Sequence, residues 1–147
     1  MKSIIECLRD NPVIAAVNSD EGLEAALESD CEVVVDALRA MCAPDGVIST
    51  RPPLLRRAHQ LGLTTVQRVF AIDSKSIANL KNLSETGKPD FIEIMPGLIP
   101  RVLRAARELT GIPIIAGGLI EEKNEVIAAL DSGAVAVSTT QQGVWRM

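Results

Sequence analysis

Along this chain a short run of β-branched and apolar residues ends in glycine or polar side chains, and a stretch with helical spacing follows; then the pattern recurs. Such alternation predicts parallel strands joined by crossover helices, because a parallel neighbour needs a long return connection. The runs are 12–17 (PVIAAV), 31–35 (CEVVV), 46–50 (GVIST), 64–70 (TTVQRVF), 91–97 (FIEIMPG), 112–119 (IPIIAGGL) and 134–140 (AVAVSTT). They are nearly continuous in apolar residues, as expected of a sheet covered on both faces.

Helical punctuation lies between the runs. Asn18-Ser19-Asp20 suits the start of a helix over 21–29, with Leu23, Ala26 and Leu27 on one face. A short helix over 36–42 is broken by Pro44-Asp45. Pro52-Pro53 opens a helix with Leu54, Leu55, Ala58 and Leu61 inward, and Gly62 closes it. Asp73-Ser74 caps a helix carrying Ile77, Leu80 and Leu83. Pro100 opens one with Val102, Leu103 and Ala106 inward and Gly111 at its end. The helix over 121–132 has acids in its first turn, where the macrodipole favours them, and Gly133 after it. Two α/β architectures fit this order: an open doubly wound sheet or a closed barrel. A full barrel takes eight strands and typically ~250 residues; this chain has seven runs in 147 residues, enough for one domain with a sizeable core.

Composition narrows the function. No apolar run reaches the ~18–20 residues that span a bilayer, and Met1-Lys2-Ser3-Ile4-Ile5-Glu6 puts an acid inside the first apolar patch with no cleavage site after it. The expectation is a cytoplasmic chain without membrane attachment. Cys7, Cys31 and Cys42 are odd in number and match no metal spacing, so they read as small hydrophobes rather than ligands or a disulfide. A net charge of −4 gives no global attraction to nucleic acid, so RNA binding would need a local basic patch. Aromatic residues are 2% of the chain, and Phe70, Phe91 and Trp145 are too scattered for a base-stacking platform.

In either architecture ligands bind at the C-terminal ends of the strands. Those ends carry Asn18, Ser49-Thr50-Arg51, Gln67-Arg68, Glu93 with Met95-Pro96-Gly97, Gly117-Gly118 and Ser138-Thr139-Thr140. Gly117-Gly118 lies between an apolar strand and a helix, where bare backbone N–H groups and a helix dipole would receive an anion. Ser138, Thr139 and Thr140 add hydroxyls at the next strand end, and the final two loops build the phosphate site of many barrels. The plainer reading of the glycines is a tight turn. Glu93 stands in an apolar strand on one face with Phe91 and Met95. It is either a ligand-hydroxyl acceptor or general base, or a structural partner for Arg68 or a lysine. His59, the single histidine, sits in a helix away from any strand end. No nucleophile elbow, P-loop, GxGxxG or metal cluster is present, so neither a catalytic residue nor a cofactor or metal site is assigned. Arg51, Arg56 and Arg57 gather around one helix start, and Arg101, Arg104 and Arg107 recur along another. They form either solvated helix faces or an anion surface suited to an RNA backbone.

The opening MKSIIECLRDNPVIAAVNSDEGLEAALESDCEVV, the stretches DGVISTRPPLLRRAHQLGLTTVQRVFAIDSKSI and PDFIEIMPGLIPRVL, and the close IPIIAGGLIEEKNEVIAALDSGAVAVSTTQQGVWRM together resemble the glycerol uptake operon antiterminator regulatory protein family. The resemblance covers nearly the whole chain, and FIEIMPG, IPIIAGGLI and AVAVSTT in this order are specific as a set. It implies a single TIM-like (β/α)-barrel domain over 1–147 that binds glycerol 3-phosphate. It also implies a regulator rather than an enzyme, one that binds the mRNA leader of glycerol-catabolic transcripts and prevents premature termination. By the resemblance, Gly117, Gly118, Ser138, Thr139 and Thr140 take the phosphate, Glu93 and Asn18 the glycerol hydroxyls, and Arg68 lines the site. The family pattern continues after its second strand with a full helix and a third strand carrying a histidine-containing motif. Here CEVV passes almost at once to VDALRAMCAPDG, so a strand–helix–strand unit on the order of 30–45 residues is incomplete near 34–36. Two other readings use the same loops: a barrel isomerase, epimerase or phosphodiesterase of a small phosphorylated metabolite, and a metabolite-binding module that acts through a protein partner.

Overall fold

Among the described residues the alternation folds into a six-stranded parallel sheet wrapped by helices. The computed structural model describes residues 13–15, 44–86 and 88–144. The strands are β1 (Val13–Ala15), β2 (Gly46–Ser49), β3 (Thr64–Phe70), β4 (Phe91–Met95), β5 (Ile114–Gly117) and β6 (Ala136–Thr139). The helices are α1 (Pro52–Gln60), α2 (Ser74–Thr86), α3 (Pro100–Thr110) and α4 (Lys123–Asp131), followed by a 3₁₀ turn over Gln142–Val144. The run 31–35, the helices expected over 21–29 and 36–42, Asn18, the three cysteines and Trp145 lie outside the described residues.

Strand order decides between the two architectures. It runs β1-β6-β5-β4-β3-β2, and every pairing is parallel. Strands β2 to β6 follow one another in sequence order without the reversal that marks a doubly wound sheet. β6 then pairs with β1 through Val13↔Val137, Ile14↔Ser138 and Ala15↔Thr139. A last strand that returns to the first is the closing move of a barrel. Among the described residues β1 and β2 do not pair with each other. The fold is a partial (β/α) barrel.

Strand limits follow backbone chemistry. β3 spans the whole run from Thr64 to Phe70. The run 91–97 stops pairing at Met95, before Pro96, which has no N–H to donate. The run 112–119 contracts to Ile114–Gly117, because Gly118 turns to φ +72° and leaves the extended conformation. At the bottom of the sheet, Asp90 Oδ2 accepts from the Thr65 N–H (2.8 Å) and hydroxyl (2.9 Å), and the Asp90 N–H donates back to Thr65 Oγ1 (3.1 Å). This clamp fixes the start of β4 against β3.

Helix ends are built as their sequences require. In α1, Pro52 sits in the first turn, where a missing N–H costs nothing. At its far end the Gly62 N–H reaches His59 O (2.9 Å) and the Leu63 N–H reaches Ala58 O (3.0 Å), the paired bonds of a Schellman motif. Gly62 adopts φ +75°, which glycine reaches without steric cost. Asp73 caps α2 by accepting from the Ser76 N–H and hydroxyl, each at 2.8 Å. These bonds, the backbone one first, hold its carboxyl below the ordinary range. Glu122 and Glu125 form a capping box on α4.

Two apolar layers flank the sheet. Outside, Ile92, Ile94, Ile114, Ala116 and Val137 pack under Leu80, Leu103, Ala106, Val126 and Ala129. Inside, Val66, Phe91, Ile115 and Ala136 form a separate buried cluster low in the barrel. The inner cluster plugs the lumen, so any ligand must sit above it, towards the C-terminal ends of the strands.

Candidate functional site

Pleating decides which side chains reach the lumen. Two residues above the plug on β3 and β4 come Arg68 and Glu93, which are register partners. On β5 and β6 the inward-facing residues two beyond the plug are Gly117 and Ser138, also partners, while the register partner of Glu93 itself is Ile115. One step higher stand Phe70 and Met95. These levels open into a cavity of about 680 Å³, a size suited to a small metabolite. It is lined from below by Arg68 and Glu93, on one side by Phe70, Met95 and Pro96, and on the other by Gly118 to Glu121 and Ser138 to Gln141.

The floor is an ion pair. Arg68 Nε donates to Glu93 Oε2 at 2.6 Å, and Glu93 is only 1% exposed. Among the described residues this is the only side-chain hydrogen bond of Arg68, whose other four N–H donors remain available. Gly117 explains how the carboxylate fits. A Cβ at that position would lie 2.6 Å from Glu93 Oε1 and 3.0 Å from its Cδ and Cγ, so the glycine is the seat on which the carboxylate rests. Gly117 is buried beneath Glu93 and does not itself line the cavity.

The rim is made of two loops tied together. Gly118 and Leu119 both adopt positive φ, +72° and +60°, and fold the chain over the mouth, leaving the Leu119 side chain 69% exposed. The Thr139 hydroxyl donates to Ile120 O at 2.6 Å and accepts from the Gln141 N–H at 3.0 Å. Thr139 therefore joins the β5–α4 loop to the end of β6. Ser138 is buried at the wall, and Thr140 stands exposed at the lip.

The start of α4 is electrostatically different from the bare dipole end that the sequence suggests. Glu125 Oε2 accepts from the N–H groups of Glu121 (2.8 Å) and Glu122 (3.0 Å). These bonds, Glu121 first, hold the Glu125 carboxyl below its ordinary range. The helix thus carries its own anion at its N-terminus. Among the described residues, the donors left to an incoming anion at the rim are those of the loop around Gly118 and of Ser138 and Thr140.

Of the candidate residues, Arg68, Glu93, Gly118, Ser138, Thr139 and Thr140 meet around one cavity, Gly117 supports it from beneath, and Asn18 lies outside the described residues. The arginines stand elsewhere. Arg51 and Arg56 are exposed and Arg57 half-buried around α1; Arg101, Arg104 and Arg107 are exposed on α3. Arg107 also lies over Gly133, its Nη1 2.8 Å from where a Cβ would be. Met95, placed at a strand end by the sequence, completes the apolar part of the cavity with Phe70, Leu119 and Ile120, which the sequence did not assign to the site. Their signal was the two-residue period that puts Phe70 and Met95 on the face of Arg68 and Glu93. His59 is exposed on α1 and takes no part in the cavity.

A singly wound partial barrel with a plugged lumen and a polar mouth defines a (β/α)-barrel protein with a cavity at the strand ends. The family model described as "Glycerol-3-phosphate responsive antiterminator" matches residues 33–145, and this chain belongs to that family. The chain is 32% identical over 184 residues to "Uncharacterized protein YgcP" of Escherichia coli (strain K12), a match that covers 98% of this chain and 96% of that protein. That stretch is longer than the 147 residues here, so the relative carries residues inside the match that this chain lacks. The glycerol uptake operon antiterminator regulatory protein of Listeria monocytogenes is similar in structure, with a TM-score of 0.76 and 36% identity over 87% of this chain. This chain spans 66% of the Listeria chain's length. A glycerol uptake operon antiterminator-related protein of Thermotoga maritima shares the fold at a TM-score of 0.69 and 24% identity, covering 92% of this chain and 98% of that one. Among the described residues no helix is long and apolar enough to cross a membrane.

Proposed function

We propose that this chain binds glycerol 3-phosphate in the mouth of the barrel and, in that state, binds the leader of glycerol-catabolic transcripts to prevent premature termination. The observation that carries the reading is the two-level cavity: donors of the Gly118 loop, Ser138 and Thr140 at the rim, and the Arg68–Glu93 pair on the floor. A three-carbon phosphate has the matching polarity, an anion at one end and hydroxyls at the other. Membership of a glycerol-3-phosphate responsive family supports the choice of ligand. The likeness to the Listeria antiterminator supports the transcript as partner.

RNA contact falls in this reading to the exposed arginines of α1 and α3, on the outside of the barrel. Ligand and RNA then occupy separate places and are coupled by linkage: the conformation that glycerol 3-phosphate prefers is the one that holds RNA more tightly. Calorimetric titration of the protein with glycerol 3-phosphate, with glycerol and inorganic phosphate as controls, tests the first half. Gly118→Asp, which sets a negative charge at the rim, should abolish binding while the protein keeps its fold. A leader-RNA gel shift with and without the ligand tests the second half. Absence of binding to a folded wild type refutes the ligand, and a shift indifferent to it refutes the coupling.

A further inference from the structure

The floor of the cavity is a donor beside an acceptor, both fixed. Arg68 Nε lies 2.6 Å from Glu93 Oε2 on neighbouring strands in register. Glu93 is 1% exposed, and a carboxylate buried that deeply holds to its cation. Gly117 gives it one seat, because Oε1 lies 2.6 Å from the position of a Cβ there. Guanidinium only donates and carboxylate only accepts. A ligand carbonyl, which only accepts, can satisfy Arg68 but turns its lone pairs on Glu93. A hydroxyl meets both, donating to the carboxylate and accepting from the guanidinium.

We infer that the Arg68–Glu93 pair makes the site read the oxidation level of its ligand, admitting a secondary alcohol and rejecting the corresponding ketone. The inference rests on the reading that the cavity holds a three-carbon phosphate. The phosphate end is common to alcohol and ketone, so the rim cannot tell them apart, and discrimination falls to the floor. Loss of one charge-assisted hydrogen bond, with the acceptor left facing lone pairs, corresponds to a factor on the order of 10 to 100 in affinity.

The test is calorimetric titration of the full chain with glycerol 3-phosphate and with dihydroxyacetone phosphate, in wild type and in Glu93→Gln. Wild type should favour the alcohol by about 10- to 100-fold. A glutamine amide can accept from a hydroxyl or donate to a carbonyl, so Glu93→Gln should bring the two ligands to within about threefold. Ser138→Ala, at the rim, should weaken both ligands together and leave their ratio unchanged. Should Glu93→Gln fail to fold, the wild type with 3-hydroxypropyl phosphate, which lacks the middle hydroxyl, decides: it should bind more weakly than glycerol 3-phosphate by a similar factor. Equal wild-type affinity for alcohol and ketone, or an unchanged ratio in folded Glu93→Gln, overturns the inference and leaves the phosphate reading intact. Failure of all three phosphates to bind wild type overturns both.

Discussion

Gly117→Ala is the smallest change that interrogates the floor of the site. The added methyl would lie 2.6 Å from Glu93 Oε1 and 3.0 Å from Cδ and Cγ, so the whole carboxyl end must move, not only its tip. Moving it breaks the 2.6 Å bond to Arg68. A charge-assisted hydrogen bond is worth about 1.5–3 kcal/mol. The Arg68 side chain, 34% exposed, regains water when the bond breaks, whereas Glu93, 1% exposed, is the partner left buried, so this value is the least the broken bond costs. Replacing glycine by alanine in a strand returns roughly 0.5–1 kcal/mol. The net expectation is a destabilisation of about 0.5–2.5 kcal/mol, read as a lower urea midpoint at constant m-value. A double-mutant cycle isolates the cause. With Glu93→Ala already present the obstacle is gone, so Gly117→Ala should be neutral or stabilising, giving a coupling of about 1.5–3 kcal/mol. An equal loss in both backgrounds would show that Gly117 is required for some other reason and refute its role as the seat of the carboxylate.

Other perturbations probe the frame around the site. Leu103→Ala, at a side chain 1% exposed in the outer core, should cost about 2–5 kcal/mol and lower the urea midpoint by on the order of 1–3 M. Thr139→Val removes the hydroxyl donated to Ile120 O. It should cost about 1–3 kcal/mol and weaken glycerol 3-phosphate binding by loosening the rim, both measurable on one sample by denaturation and calorimetry. Asp73 and Glu125 have carboxyls lowered from ordinary values of 3.8 and 4.5 by N–H donors that the unfolded chain lacks. Their stabilisation is complete above those values and is lost as pH falls through the lowered folded ones. Asp73→Asn and Glu125→Gln should therefore flatten the acid limb of a midpoint-versus-pH curve, and slopes identical to wild type would exclude the caps as its source.

Local features were legible in the sequence because local chemistry determines them. The run 64–70 became β3 end to end, and Gly62 closed α1, since strand pattern and C-cap chemistry depend on a handful of neighbours. Barrel closure was not decidable from pattern, because it depends on β1 meeting β6 at the other end of the chain. Family resemblance filled that gap. Glu93 and Arg68 were visible as polar intrusions and their pairing as one of two alternatives, but choosing it required the register Arg68↔Glu93. Gly117 read as a phosphate glycine. Its work beneath the carboxylate emerges only once β4 and β5 are laid side by side. The dipole of α4 looked open to an anion, and the reach of Glu125 back over Glu121 and Glu122 is a side-chain conformation that composition does not reveal.

The pairing of β1 with β6 also bears on how the chain is made. Roughly 120 residues separate Ala15 from Ala136, so a ribosome adding about 5–20 residues per second takes on the order of ten seconds to supply the partner of the first strand. Through that interval β1 has an unsatisfied edge, a template for strands of other nascent chains. The later strands can assemble as they emerge, each beside its predecessor, whereas β1 must wait for nearly all of them. Of the pairings described, the β1–β6 seam is thus the one that stays open longest during synthesis.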